Sequence, residues 1–99
     1  MANICFNEFF ASSDDEKNIE YLAKALEELL DADVYGISND CLDATFDSRW
    51  TFPEERMNEL FEGIPNKDDI YMRCLSVEYG CDYVAYHKCE DNEGWFQVV

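Results

Sequence analysis

The stretch from residue 14 to residue 32 constrains the fold most, because its apolar side chains recur at a helical spacing. This apolar stripe consists of Ile19, Leu22, Leu26, Leu29 and Leu30. A helix with such a stripe has to bury it against another layer of structure. Ser13 or Asp14 is expected to cap this helix, with Asp15 and Glu16 in its positive first turn.

Strands are predicted on both sides of this helix. Residues 3–10 form a short aromatic run that ends before polar residues, which is typical of a strand. Residues 42–50 alternate with a period of two, which predicts a strand with one buried face. Its inward set is expected to be Leu42, Ala44, Phe46, Ser48 and Trp50. Further strands are predicted at residues 34–37, 70–79, 83–88 and 95–99.

A second helix is predicted to begin with Pro53 at its first position and to end at Gly63. Met57, Leu60 and Phe61 would supply its inward stripe. The resulting order is β-α-β-β-α-β with an added C-terminal hairpin strand. We therefore expect an α+β fold of ferredoxin-like strand order, in which two helices pack on one face of a mainly antiparallel sheet. Residues 1–99 are expected to form a single domain.

The charge of the chain is strongly negative, with 23 Asp and Glu against 7 Lys and Arg, a net charge of −16. Such a field repels nucleic acid and anionic membranes, so neither is an expected partner. No apolar run reaches the roughly 18 to 20 residues of a membrane span. The hydrophobic share of 47% is nevertheless sufficient for a packed core.

The five cysteines do not indicate a disulfide framework or a metal site. Their number is odd, no two form a C-x-x-C, and the first residues lack the basic start of a secretory signal. Cys5 and Cys74 lie within apolar runs, where a free thiol acts as a small hydrophobe. We expect reduced cysteines, a cytoplasmic location, and no metal or cofactor.

The chain has no G-x-S-x-G, no glycine-rich phosphate loop and no H-E-x-x-H motif, and we expect a protein that is not an enzyme. His87 is the single histidine, and Cys89 follows two residues later on the same predicted strand. A pair at this spacing rarely gives the hydrogen-bonded geometry that a nucleophile and its base require. The segment from Asn39 to Asp43 lacks the ligand spacing of a calcium loop.

The carboxylates of the first helix are the main candidates for a binding surface. Glu16, Glu20, Glu27 and Glu28 fall opposite its apolar stripe. The simplest interpretation is a solvated helix face, and the alternative is a surface that imitates the phosphates of nucleic acid. At roughly 5,800 Å² of surface, 23 carboxylates average about one per 250 Å², against about one phosphate per 110 Å² on B-DNA. Mimicry would therefore require the charge to be concentrated on one face.

The strand at 42–50 adds three further candidates to this partner-binding set. Asp43 and Asp47 are expected on its wet face, together with Arg49. Arg49 either pairs with Asp47 or Asp82 or acts as a polar anchor for a partner, since Arg and aromatic residues are enriched in interface hot spots. Five aromatic residues of the C-terminal strands could be core or binding surface. They are Tyr71, Tyr79, Tyr83, Tyr86 and Trp95.

Three segments resemble the YubB-like ferredoxin-like family of phage and plasmid proteins. They are the opening Met1–Asn7, the stretch Phe46–Pro53, and the turn Glu78–Tyr83. Ile4 replaces the usual opening aromatic of the family. The resemblance implies a ferredoxin-like fold and a mobile-element setting, and it brings no catalytic residues with it.

Together these features predict a non-catalytic acidic protein, a monomer or homodimer, that binds the basic surface of a nucleic-acid-binding protein. With the setting that the resemblance implies, its concrete form is an inhibitor of a host defence nuclease, of the anti-CRISPR or anti-restriction type. Two alternatives stay open. One is a small-molecule binding or sensing module on the sheet face, and the other is a structural subunit of a complex.

Overall fold

A computed structural model describes residues 4–99, apart from the side chain of Cys81. It contains six strands and two helices. These are β1 (Ile4–Ser12), α1 (Glu16–Leu30), β2 (Asp33–Ile37), β3 (Cys41–Arg49), α2 (Glu54–Glu62), β4 (Tyr71–Glu78), β5 (Tyr83–Glu90) and β6 (Trp95–Gln97). Single 3₁₀ turns connect β4 to β5 and β5 to β6.

The strands form one sheet in the order β2-β3-β1-β4-β5-β6, and every neighbouring pair is antiparallel. The first four strands in space have ferredoxin-like order, with β1 between β3 and β4. Strands β5 and β6 extend the sheet beyond β4 as an added hairpin. The predicted fold class is therefore confirmed.

Both helices pack on one face of the sheet, where the hydrophobic core lies. Ile19, Leu22 and Leu26 of α1 are at most 2% exposed and belong to one core cluster with Phe9 and Met72 of the sheet. Burial of each such side chain contributes about 1.5–3 kcal/mol. The apolar stripe predicted from the sequence is thus the contact between the two layers.

The start of α1 differs from the prediction by one or two residues. Asp15 is the N-cap, and its carboxylate accepts a hydrogen bond of 3.0 Å from the backbone N–H of Lys17. Ser13 is buried, and its hydroxyl donates to the carbonyl oxygen of Asp69. Asp14 is exposed one residue before the cap. The Ser13 side chain therefore joins the loop before β4 instead of capping the helix.

The segment between β3 and α2 also departs from the sequence pattern. Leu42, Ala44 and Phe46 are buried as expected, but Trp50 lies beyond the end of β3 and is 51% exposed. Its φ of 71° is in the left-handed region, so the alternation stops there. Pro53 has φ −81° and ψ 76°, which is not helical, and α2 begins at Glu54.

Neither helix in residues 4–99 is long and apolar enough to cross a membrane. Cys5, Cys74 and Cys89 are buried and Cys41 is half-buried, all as free thiols. Burial raises the pKa of Cys74 and of Cys89 to about 12. The buried thiols therefore act as small hydrophobic core residues, as the sequence pattern indicated for Cys5 and Cys74.

Candidate binding surfaces

The sheet separates the seven predicted partner-binding residues into two groups. Alternate residues of β3 point to opposite sides, and Leu42 and Ala44 are buried under the helices. Asp43, Asp47 and Arg49 therefore lie on the open face of the sheet, which the helices do not cover. The other four, Glu16, Glu20, Glu27 and Glu28, are exposed on α1. The structure does not bring the seven residues to one surface.

The four α1 carboxylates themselves follow two stripes. At 100° per residue, Glu16, Glu20 and Glu27 share one stripe, whereas Glu28 lies on the side that faces α2. Glu16 and Glu20 border a shallow groove beside Ile37 at the end of β2. The predicted set on α1 is thus distributed over both flanks of the helix.

The larger groove of the helix layer lies between α1 and α2. Its rim carries the carboxylates of Glu28 from α1 and of Glu55, Glu59 and Glu62 from α2. Apolar atoms of Ala25, Leu29 and the Tyr21 ring line it, together with Asn58. The Tyr21 hydroxyl donates a 2.8 Å hydrogen bond to the Leu60 carbonyl oxygen and joins the two helices. The groove, with a volume of about 650 Å³, combines an apolar lining with a carboxylate rim.

Sequence reasoning missed Glu59 and Glu62 as members of a binding surface. Both lie on the side of α2 away from its buried residues Met57 and Leu60, so the helical spacing could have placed them in an acidic stripe. That this stripe faces α1 could not be read from spacing, because it depends on how the two helices pack.

Three of the four rim glutamates lie where they destabilise their own helix. Glu28 is in the last turn of α1, Glu59 and Glu62 are in the last turn of α2, and neither last turn contains a basic residue. A carboxylate there opposes the helix dipole by about 0.3–1 kcal/mol. Glu55 and Glu59, four residues apart, add a like-charge pair. Arg56 offsets part of this repulsion through a 3.5 Å ion pair with Glu59.

Averaged over the whole protein surface, the density of carboxylates is lower than the density of phosphates on a nucleic acid. On 5782 Å² of accessible surface, 23 carboxylates average one per about 250 Å², against about one phosphate per 110 Å² of B-DNA. The helices alone present eight exposed carboxylates and three cations. The carboxylates are Glu16, Glu20, Glu27, Glu28, Glu54, Glu55, Glu59 and Glu62, and the cations are Lys17, Lys24 and Arg56. The helix layer is therefore acidic, but most of the 23 carboxylates lie elsewhere, in the loops and on the open face of the sheet.

The open face of the sheet combines exposed apolar side chains with three of the seven cations and with five carboxylates, those of Glu8, Asp33, Asp43, Asp47 and Glu90. Phe6 is 40%, Leu75 36% and Val84 57% exposed on this face. Arg49, Arg73 and Lys88 are its cations. A groove of about 500 Å³ crosses it, with Phe10, Tyr35, Arg73 and Tyr86 among its lining residues. This face therefore differs in character from the acidic helix layer.

Arg49 is exposed at the end of β3. Neither Asp47 nor Asp82, the partners considered from the sequence, lies within the 4.0 Å of an ion pair. The guanidinium of Arg49 is thus accessible, but it lies on the open face of the sheet and the α1 carboxylates of the predicted partner-binding set do not.

The aromatic residues of the C-terminal strands divide between the two sides. Trp95 packs under the helices, where its indole N–H donates a 2.9 Å hydrogen bond to the Met57 carbonyl oxygen. The Tyr83 hydroxyl oxygen accepts a 3.3 Å hydrogen bond from the backbone N–H of Phe52. Tyr71 and Tyr86 are half-buried on the open face, and Tyr79 is 83% exposed beyond β4. Trp95 therefore belongs to the core, Tyr71 and Tyr86 belong to the open face, and Tyr79 lies in solvent beyond β4.

His87 and Cys89 do not form a reactive pair in this structure. The Cys89 thiol donates to the Asp91 carbonyl oxygen at 3.8 Å, and His87 Nδ1 is buried without a hydrogen-bond partner. Burial lowers the pKa of His87, against the opposing charge of Glu54. Among the described side chains, which do not include that of Cys81, no group of three or more His, Cys, Asp or Glu residues is arranged to hold a metal ion.

Comparison of the chain with protein-family models, with curated proteins and with solved structures gave no match. The resemblance to the YubB-like family stays a prediction, drawn from three short segments. One begins β1, where Met1–Asn3 lie outside the described residues, one spans the end of β3 to Pro53, and one connects β4 to β5.

Proposed function

We propose that this chain is a non-catalytic binding protein whose acidic helix layer occupies the basic, nucleic-acid-binding surface of another protein in the cytoplasm. The observation that carries the proposal is the α1–α2 groove, rimmed by Glu28, Glu55, Glu59 and Glu62. An arginine or lysine side chain from a partner would place its apolar stem on the groove lining and its charged end among these carboxylates.

The position of these glutamates supports a role outside stability. Three rim carboxylates at helix C-termini cost the fold roughly 1–3 kcal/mol, a substantial fraction of the 5–15 kcal/mol typical of a domain. A residue that breaks a local rule is a candidate for function, and of these three glutamates only Glu59 has an ion-pair partner among the described residues, Arg56. A basic partner would relieve the repulsion, because its cations neutralise the carboxylates as they bind.

The form of the function follows from the charge and from the resemblance stated above. A protein surface that competes with nucleic acid can block a host defence nuclease, which a phage or plasmid has to do. We therefore propose an inhibitor of the anti-CRISPR or anti-restriction type. Its contacts come from Glu28 and the three α2 glutamates, with the Glu16, Glu20 and Glu27 stripe beside them.

The test uses purified defence nucleases, namely an RNA-guided CRISPR effector and a restriction endonuclease, with labelled target DNA. The wild-type chain should displace the DNA from at least one of them in a mobility-shift titration. The variant E28Q/E55Q/E59Q/E62Q should compete about 100-fold less well. Competition should weaken by tenfold or more between about 0.05 and 0.2 M salt.

The matched control removes the same number of charges from the other side of the sheet, as D33N/D43N/D47N/E90Q. This control should compete like the wild-type chain. Equal losses in both variants would show that only net charge matters and would overturn the assignment to the α1–α2 groove. Competition that is unchanged between low and high salt would contradict the electrostatic mechanism.

A further inference from the structure

Arg73 on β4 and Lys88 on β5 are direct cross-strand partners on the open face of the sheet. Like charges in this arrangement destabilise a sheet. The chain has only 7 cations for 23 carboxylates, so two cations placed opposite each other are a clear departure from local charge pairing. Such a departure in an otherwise consistent fold is a signal of function.

Aromatic rings lie closest to the two cations, and the carboxylates of Glu8 and Asp43 line the same groove as Arg73 without forming an ion pair with it. Arg73 Cζ lies 4.2 Å from the centroid of the Phe10 ring, and Lys88 Nζ lies 5.8 Å from that of Tyr71 and 5.9 Å from that of Tyr86. Within residues 4–99, no carboxylate comes within ion-pair distance of either cation. The charged ends thus retain hydrogen-bond donors for a ligand.

The pKa of the Tyr71 phenol responds to the positive charges of Arg73 and Lys88. Its partial burial raises the pKa, but hydrogen bonds with Arg73 and Tyr86 and the charges of Lys88 and Arg73 outweigh this and leave the pKa below its ordinary value. The Arg73 charge favours the anionic form of both phenols, although burial and the neighbouring Tyr71 raise the pKa of Tyr86 overall.

The groove that Arg73 borders can hold more than an anion. Its volume of about 500 Å³ is in the range of small-molecule sites. Phe10, Leu75 and Val84 give it apolar surface, and Tyr35 also lines it. Glu8 and Asp43, also in the lining, can accept hydrogen bonds from amino or hydroxyl groups of a ligand. The groove thus offers hydrogen-bond donors from Arg73, acceptors from Glu8 and Asp43, and apolar side chains.

We propose that the open face binds a small ligand that contains both a phosphate or carboxylate group and a planar ring, with the anion on Arg73 and Lys88 and the ring in the groove beside Phe10. A mononucleotide has this chemistry, including amino and hydroxyl groups for Glu8 and Asp43. A nucleic acid strand does not suit the site, because each further phosphate would enter the repulsive field of a chain with net charge −16.

The test is a titration of the full chain, followed by amide NMR shifts and calorimetry. The probes are the four 5′-mononucleotides, 4-hydroxybenzoate as an aromatic carboxylate, adenosine, inorganic phosphate and an oligonucleotide. A mononucleotide or the aromatic carboxylate should shift the amides of Phe10, Arg73, Tyr86 and Lys88, and which of the two binds tighter identifies the anion. Adenosine and inorganic phosphate should each bind at least about tenfold more weakly than the intact ligand.

Two variants of the proposed site and two control variants test whether the ligand binds at Arg73 and Lys88. R73Q and K88Q should each weaken binding by about 10- to 100-fold, while K24Q, which removes one cation from α1, should not. The variant E28Q/E55Q/E59Q/E62Q of the α1–α2 groove should bind the ligand normally. The ligand site and the proposed inhibitory surface can therefore be contradicted separately. Absence of binding by every mononucleotide and by the carboxylate at millimolar concentration would overturn the proposal. So would tighter binding of the oligonucleotide, or equal losses in R73Q and K24Q.

Discussion

The imidazole ring of His87 lies parallel to the phenyl ring of Phe52, with 3.7 Å between the ring centroids and 9° between the planes. Trp95 packs edge-on against the same phenyl ring at 5.4 Å. His87 Nδ1 is buried here without a hydrogen-bond partner, so a protonated imidazole would add a charge without an acceptor at this nitrogen. The stack is therefore a contact that favours neutral histidine.

The first prediction concerns the pH dependence of folding. Burial lowers the pKa of His87 in the folded chain, so the unfolded chain binds the proton first as the pH falls. The stability that His87 contributes is present above its unfolded pKa of about 6.5 and is lost as the pH falls below it, until the folded form is also protonated. Urea unfolding at about pH 8 and about pH 5.5 measures this loss in the wild-type chain, and H87F should not show it.

Comparison with H87F matters because the other titratable groups are common to both proteins. Because both proteins contain the same carboxyl groups, their titration cancels in this comparison. If the stability of the wild-type chain relative to H87F stayed constant across the window, the burial of a neutral His87 would be contradicted.

The second prediction is that the carboxylate at the C-terminal end of α2 lowers the free energy of unfolding. Glu62 is the last residue of α2, with Glu59 three residues before it, whereas Glu54 is its first residue. E62Q should raise the free energy of unfolding by about 0.3–1 kcal/mol, because it removes a carboxylate from the negative end of the helix dipole. Thermal and urea unfolding at low ionic strength measure the change.

E54Q is the matched control, since it removes the same charge from the opposite end of the same helix. It should lower stability by a similar amount, and both effects should shrink in high salt. A loss of stability in E62Q would show that Glu62 makes a contact that outweighs the dipole.

The third prediction concerns the packing of Tyr21 from α1 against Gly63, the C-cap of α2. A Cβ atom at position 63 would overlap the Tyr21 hydroxyl and ring, although the backbone of Gly63 has ordinary helical angles, with φ −85°. G63A should therefore destabilise the chain by about 1–3 kcal/mol through overpacking. Y21F, which loses only the hydrogen bond to Leu60, should cost about 0.5–1.5 kcal/mol.

A double-variant cycle separates overpacking from a backbone effect. In a Y21L background the cost of G63A should fall, because the atoms that would overlap the new methyl group are gone. An unchanged cost in both backgrounds would assign the effect to the backbone and not to the contact with Tyr21.

The sequence by itself determined the elements, because helical and strand periodicities are local properties. The apolar stripe around Leu22 and Leu26 and the alternation from Leu42 to Phe46 depend only on neighbouring residues, so both were predicted. The same periodicity placed the α1 carboxylates in solvent. Prediction was wrong where local backbone geometry or a distant contact decides, as at Trp50, with its left-handed φ, and at Ser13, whose hydroxyl bonds to Asp69.

Only the tertiary structure decided which residues share a surface. The sheet places Asp43 and Asp47 on the side opposite Glu16 and Glu20, although all four were grouped by charge. The α1–α2 groove joins Glu28 to Glu59, and the β4–β5 register places Arg73 opposite Lys88. Helix packing and strand register are set by the core as a whole, since one face of each element has to be buried. A charge pattern along the chain therefore cannot reveal the surfaces on which those charges act.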